Sequence, residues 1–492
     1  MFKQRVHNRA GINLFSGIDY GFIAIYLALV AIGLIAVISA TWKGDSVATF
    51  ALSNEYVKHM IYIGLSLAIA FVILLCDSSI WHKYAYLFYV ASLLLALTTL
   101  LPGIGLERNG ARAWIGLGGF TLQPIEFAMV GLALGIARLM GEYSFSTERL
   151  SSLMQVAMII LPIFVVVKLQ NDFGTGLIAC SLLLMLFREG LNLWICILII
   201  CVVVLFFLSM LLEPTPLLIV IIVLFTIVSA ILMRQRWKVV VKYSSGLFFI
   251  STILYAAYML IAKGDNSDNN IYYLFLLGTT IVSLPVVIWL VYRANIRELY
   301  LMIALFVVSI AVLPTSNMLY NSLHGYQKGR IDTYLGLSED RNATYNVNQS
   351  KIAIGSGGWT GKGYLQGTQI RYKMVPERHT DFIFCTICEE FGLLGAAVLF
   401  VLYAFFILRL MSMGDNQQDR FGRVYCYSAA SILTYHAFVN IGFTMGFMPV
   451  MGITLPLISY GGSSLLATTI MVFIAVAIDA STRRALPVYR KW

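Results

Sequence analysis

The sequence predicts an all-α, polytopic transmembrane helical bundle of about fourteen spans with a large folded external loop. Of 492 residues, 59% are hydrophobic and only 12% are charged, whereas a water-facing domain carries about a quarter charged residues. Apolar runs long enough to cross a ~30 Å hydrocarbon core follow one another with short polar breaks. No linker divides the chain, although a soluble chain of this length would split into about three domains. The ten-residue alternation of a transmembrane β-barrel is missing.

The runs lie near 19–41, 56–76, 80–101, 124–140, 152–168, 172–188, 191–212, 216–233, 246–262, 270–292, 299–317, 383–411, 424–446 and 456–480. Segment 1–10 is basic and polar, and the run after Asp19 is itself long enough to span, so no cleavable signal peptide is expected. The fifth and sixth runs are parted only by Gln170, Asn171 and Asp172. The net charge of +10 reads as basic loops held on the cytoplasmic side and in contact with anionic lipid, with no nucleic-acid partner. Lys3, Arg5 and Arg9 fall on that side with Arg234, Arg236, Lys238 and Lys242. So do Arg293, Arg297, Arg409, Arg420, Arg423, Arg483, Arg484, Arg490 and Lys491. Strict alternation then puts both termini in the cytoplasm, and loops 102–123 and 318–380 outside. Cys76, Cys180, Cys196, Cys201 and Cys426 lie inside spans, which argues against a disulfide framework. Cys385 and Cys388 form a C-x-x-C within a helix and read as packing residues.

Loop 318–380 is too long for a simple connection. Its Tyr326, Tyr334, Tyr345, Trp359, Tyr364 and Tyr372, spaced among glycines, predict a folded cover over an external cavity. The run from Gly355 to Gly363 superficially resembles a phosphate-binding loop, but Ser356 stands where glycine is needed and Gly363 where a hydroxyl is needed. A backbone nest for pyrophosphate and a tight turn remain as readings. Glu126, Asp172 and Asp381 each open a span on the external side. Each is explicable as a helix cap, but three on one side beside a folded loop suggest a shared site. The segment PERHTDF brings Glu377, Arg378 and His379 up to Asp381, a group of residue types suited to acid–base work. Lys362, Arg371, Lys373 and Arg378 supply cations for a polyanion. No metal-ligand spacing is evident. His436 and Asn440 are one turn apart on a helix face, ahead of Pro449, Gly452 and Pro456, which break the chain before Ser459. A packed re-entrant turn is expected there.

Five segments, in order, resemble the SEDS family, whose members include RodA, FtsW and SpoVE. They are GARAWIGLGGFTLQPIEFA, QNDFGTGL, NQSKIAIGSGGWTGKGYLQGTQ, VPERHTDFIFCTICEEFGLLG and FVNIGFTMGFMPVMGITLPLISYGGSSLL. The fourth and third are closer to RodA, which implies wall elongation and cell shape rather than division. Family members usually have about ten spans, so the surplus implies an inserted four-helix module over 191–298 between core parts 1–190 and 299–492. Met129 stands where the family often has lysine, and Ile125 where serine is common.

The resemblance implies a peptidoglycan glycosyltransferase in the bacterial cytoplasmic (inner) membrane, acting on lipid II at the external side. It implies Asp381 as catalytic base, with Glu126, Asp172, Arg112, Lys362, Gln369, Arg371, Glu377, Arg378 and His379 around the substrate. Lys362, Arg371 and Arg378 are the expected cations for the leaving pyrophosphate, with a divalent ion (Mg or Mn) as a further candidate. A class B penicillin-binding protein is the implied partner. The rival readings are a lipid II flippase, whose broken helices and internal polar residues would look similar, and a scaffold that activates a transpeptidase.

Overall fold

The computed structural model describes residues 17–42, 54–108, 110–118, 120–211, 214–232, 237–261, 269–294, 303, 306–312, 315, 318, 320, 325–335 and 341–489. Lys3, Arg5, Arg9, Arg234, Arg236, Arg297, Arg490, Lys491 and much of the eleventh expected span lie outside these residues. The described chain forms two compact units, Met1–Leu191 with Gly329–Trp492, and Asn192–Lys328.

The first unit begins with α1 (Tyr20–Thr41), α2 (Glu55–Leu75), α3 (Ser79–Lys83) and α4 (Ala85–Leu97). Strands β1 (Gly105–Arg108), β2 (Ala111–Leu117) and β3 (Phe120–Leu122) follow as a small antiparallel sheet in the order β1-β2-β3. The all-α expectation overlooked this sheet. Its signals were the Asn-Gly and Gly-Gly dipeptides that separate the short apolar runs, which are turn residues for hairpins. Next come α5 (Pro124–Met140), α6 (Leu150–Gln170), α7 (Phe173–Ile178) and α8 (Leu182–Arg188).

The second unit holds α9 (Leu193–Leu211), α10 (Pro214–Leu232), α11 (Trp237–Ile261) and α12 (Asn269–Ala294). Its interior gathers Leu217, Leu218, Ile221, Ile222, Leu276, Phe306 and Ile310. The helices expected as an insertion over 191–298 lie in this unit, which runs on to Lys328.

Helix α13 (Gly325–Leu335) leads back into the first unit, where α14 (Arg341–Ser356) and the short α15 (Thr368–Arg371) fold the described part of loop 318–380. Then come α16 (Ile383–Asp415), α17 (Arg420–Thr444) and α18 (Gly462–Tyr489). The last expected run, 456–480, is helical from Gly462 onward, and only its first six residues are irregular.

Among the described residues, five helices are long and apolar enough to cross a membrane. In α18 the apolar window is 83% buried, against 28–39% in the others; α18 is therefore central, and the others leave most of their apolar surface uncovered by protein. Helix α5 is central too, buried along nearly its whole length. It packs against α4, α17 and α18. A Cβ on Gly131 would lie 2.3 Å from Ser92 Oγ and 2.9 Å from Tyr89 Cα, so glycine here lets α4 and α5 touch.

Candidate active site

Asp381 lies one residue before Phe382, the N-cap of α16, which makes no side-chain cap. Three contacts from the irregular segment and from α17 fix the backbone around it. Asn440 Nδ2 donates to Asp381 O (2.8 Å) and to Ile453 O (2.7 Å). Ser459 Oγ donates to Thr380 O (2.7 Å) and accepts from Leu455 N (2.8 Å). Tyr460 N donates to His379 O (2.9 Å). The chain break expected after Pro449 is thus hydrogen-bonded by protein, as irregular backbone at membrane depth requires.

The Asp381 carboxylate is largely enclosed but keeps some open surface. A Cβ on Gly452 would stand 3.6 Å from Asp381 Oδ2 and 3.7 Å from Arg330 Nη2, so both groups flank Gly452. Burial, then the nearby Glu377 and Asp172, push the Asp381 carboxyl up to about 6, against the opposing pull of Arg330. Glu377 holds a left-handed φ of 50°, a strained backbone for a residue with a side chain. Its Oε2 accepts from Thr380 Oγ1 (3.1 Å).

Asp172 caps α7. Its Oδ1 accepts from Thr175 N (3.4 Å), and its Oδ2 accepts from Thr175 Oγ1 (2.7 Å) and Gln123 Nε2 (2.8 Å). Arg330 acts on this carboxylate as well as on Asp381. Glu126, in the first turn of α5, interacts with Asp172, yet its Oε2 is buried with no hydrogen-bond partner. The capping explanation therefore holds for Asp172, while no cap bond is made by the residue at the head of α5 or of α16. Of the expected residues, Asp381, Asp172 and Glu377 come together, with Glu126 behind Asp172. Arg330, which the sequence reading missed, is the cation among them. Its helix carries no motif that singles it out.

His379 sits beside this group. Its Nε2 is 3.4 Å from Glu55 Oε2, and its ring lies 5.6 Å from that of Tyr460. Arg378 donates from Nε to Ala40 O (2.7 Å). Arg371 is exposed at the end of α15. Arg112 is on the hairpin, 3.8 Å from Glu107, with both side chains at least half exposed, so that contact adds little.

Lys362 and the Gln369 main chain are engaged by an internal carboxylate. Lys362 Nζ is 2.7 Å from Glu389 Oε1 and 2.6 Å from Thr368 Oγ1. Glu389 is fully buried and also accepts from Gln369 N (2.9 Å) and Ile370 N (3.1 Å). The cation expected for a phosphate is the counter-ion of an internal carboxylate, and Gln369 is anchored to the same group. Part of the glycine run is engaged in a related way. Helix α16 is kinked at Gly392 (φ 64°, ψ −162°), which frees backbone groups. Lys362 N and Gly363 N donate to Glu389 O and Glu390 O (2.9 and 3.0 Å). Leu393 N and Leu394 N donate to Gly358 O and Trp359 O (2.9 and 3.1 Å). The glycine run mends the helix break, and the N–H groups of Lys362 and Gly363 are spent there. Glycine is needed because a Cβ at Gly361 would lie 2.1 Å from Glu390 O.

Cys385 and Cys388 are buried free thiols, in keeping with packing. Among the described residues no group of three or more His, Cys, Asp or Glu side chains is placed to hold a metal ion.

Comparison with known proteins places this geometry in a family. A family model described as cell cycle protein (FtsW, RodA, SpoVE) matches residues 20–243 and 215–484. The peptidoglycan glycosyltransferase RodA of Treponema pallidum is 30% identical over 467 residues, covering 94% of this chain and 98% of that one. The peptidoglycan glycosyltransferase MrdB of Escherichia coli K12 is 44% identical over 165 residues, 33% of this chain and 44% of the relative. A chain of a solved peptidoglycan synthase complex, one that coordinates polymerization and crosslinking, superposes with a TM-score of 0.59 at 22% identity. That alignment covers 94% of this chain and 97% of the other, and at such identity it speaks for the fold alone. Matched along nearly its whole length, this multi-span membrane protein belongs to the FtsW/RodA/SpoVE family.

Proposed function

We propose that the chain is a peptidoglycan glycosyltransferase that polymerises lipid II into β-1,4 glycan strands for cell-wall elongation and cell shape. Family membership supports the activity. The observation that carries the mechanism is Asp381: half-enclosed, beside a guanidinium, with its carboxyl raised to about 6. A general base works best with a pKa near the operating pH. Asp381 takes the proton from the 4-hydroxyl of the acceptor's N-acetylglucosamine as that oxygen attacks C1 of the donor sugar. The bond from C1 to pyrophosphate breaks with inversion, and the pyrophosphate leaves with the electron pair. The proton stays on Asp381 until it is released to solvent.

Charge grows on the leaving pyrophosphate, so fixed cations stabilise the transition state. Arg330 flanks Gly452 together with Asp381, with the exposed Arg371 and the partly buried Arg378 as the further cations. Burial, then Glu377 and Asp172, raise the Asp381 carboxyl, and the polyprenyl tails lie against the apolar spans.

The enzyme sits in the cytoplasmic membrane with both termini inside and the site outside, a reading supported by the placement of Lys and Arg along the sequence. Its partner is a class B penicillin-binding protein, which supplies crosslinking. The test is polymerisation of purified lipid II by the detergent-solubilised chain with that partner. Glycan strands are expected. Lipid II transport without strands would favour the flippase instead.

A further inference from the structure

A cavity of ≈ 20 Å³ is lined by Glu126, Thr175, His436, Ser464, Thr468 and apolar side chains. Two of its lining residues carry buried polar atoms without partners: Glu126 Oε2 on α5 and His436 Nδ1 on α17. Neither atom bonds to the other or to any group of the protein, so the partner each needs must lie in the space that both residues line. The space exceeds the ~10–15 Å³ that one water requires, and a buried water needs two to four polar partners.

We propose that this cavity holds one water, hydrogen-bonded to Glu126 Oε2 and His436 Nδ1, and that His436 is thereby a positioning residue for Glu126. The hydroxyls of Ser464 and Thr468 also line the cavity and supply the water's third bond. Glu126 carries the linkage onward, since it interacts with Asp172, and Asp172 acts on Asp381. The water therefore couples the middle of α17 to the carboxylate pair behind the site. Its catalytic consequence rests on the glycosyltransferase reading; the water and the coupling do not.

The test is a double-mutant cycle with His436→Phe and Glu126→Gln, read in thermal unfolding and in lipid II polymerisation. Phenylalanine fills the imidazole's place but offers no hydrogen bond. His436→Phe is expected to lower kcat by about tenfold, the cost of orphaning a buried polar partner, with KM unchanged. The double variant should be no worse than the more damaging single one. His436→Gln, which restores a hydrogen-bonding group, should recover most of the rate. Additive losses in both readouts, or no rescue by glutamine in a folded protein, would overturn the proposal. Should His436→Phe not fold, a high-resolution map of the unmodified protein decides it: density for a water between Glu126 and His436 supports it, and an empty cavity refutes it. Coupling in thermal unfolding with no polymerisation by any variant would instead count against the glycosyltransferase reading alone.

Discussion

Asp381→Asn separates chemistry from architecture. Asparagine keeps the shape and the backbone carbonyl that accepts from Asn440 (2.8 Å), but it cannot take a proton. Loss of a general base lowers a rate by about 10²–10⁴-fold, so kcat is expected to fall that far with KM little changed. Stability should move the other way. The carboxyl is raised from 3.8 to about 6 in the fold, chiefly by burial. A raised acid pKa means the folded state binds the proton more tightly than the unfolded one. Stability is then fullest below about pH 4, declines as pH rises to about 6, and stays lower above that. At neutral pH the ionised carboxylate thus costs the fold up to about 3 kcal/mol, less whatever its open surface recovers by solvation. Asparagine removes that cost, so the variant should melt slightly higher than the parent. The assay pairs initial rates of strand formation from lipid II with thermal unfolding in the same detergent. Near-normal polymerisation by well-folded Asp381→Asn protein would refute the reasoning and turn attention to Glu377 and His379.

The same carboxyl sets an acid limb: kcat/KM should fall below about pH 6, reaching about a tenth of its plateau near pH 5, and a flat profile from pH 5 to 8 would count against Asp381. Arg330 holds that carboxyl down, so Arg330→Gln should move the acid limb to higher pH; a downward move would mean the two do not interact. Lys362→Met leaves the buried Glu389 carboxylate without its cation and should cost about 3–5 kcal/mol of stability; intact melting with kcat lost would restore Lys362 to the chemistry. Gly361→Ala drives a Cβ to 2.1 Å from Glu390 O at a φ of 78° and should destabilise by about 2–4 kcal/mol, measurable by unfolding.

The helices were legible because an apolar run of spanning length has few other uses. Helix α5 coincides with the run read over 124–140, and Asp172 with the break before α7. Where a span is discontinuous the sequence said less. Between Ser79 and Leu97 the expected single run is α3 and α4, and no proline or glycine marks the join. The site was legible in its carboxylates, which are costly near a membrane and stand out for that reason. Its cation was not. Arg330 belongs to a stretch without a motif, while the conspicuous Lys362 is spent on Glu389. That pairing needs Glu389 to point back from α16 to the glycine run, a long-range contact that no local pattern encodes. Asn440 was noted only as a neighbour of His436; its two carbonyl partners, at 381 and 453, come together only once the irregular segment folds back over α17.

The bonds that fix Asp381 end on main-chain carbonyls. Asn440, Ser459 and Tyr460 hold the oxygens of residues 381, 380 and 379. A clamp on carbonyls is indifferent to the side chains that branch from the strip it grips. Positions 379 and 380 are accordingly free to drift so far as placing the carboxylate is concerned, whereas Asn440 and Ser459 are not. In a randomised library the clamp itself puts no limit on 379 and 380, where the contacts with Glu55 and Glu377 decide what survives selection for growth. Positions 440 and 459 should collapse to very few residues, although neither side chain is proposed to touch the sugar.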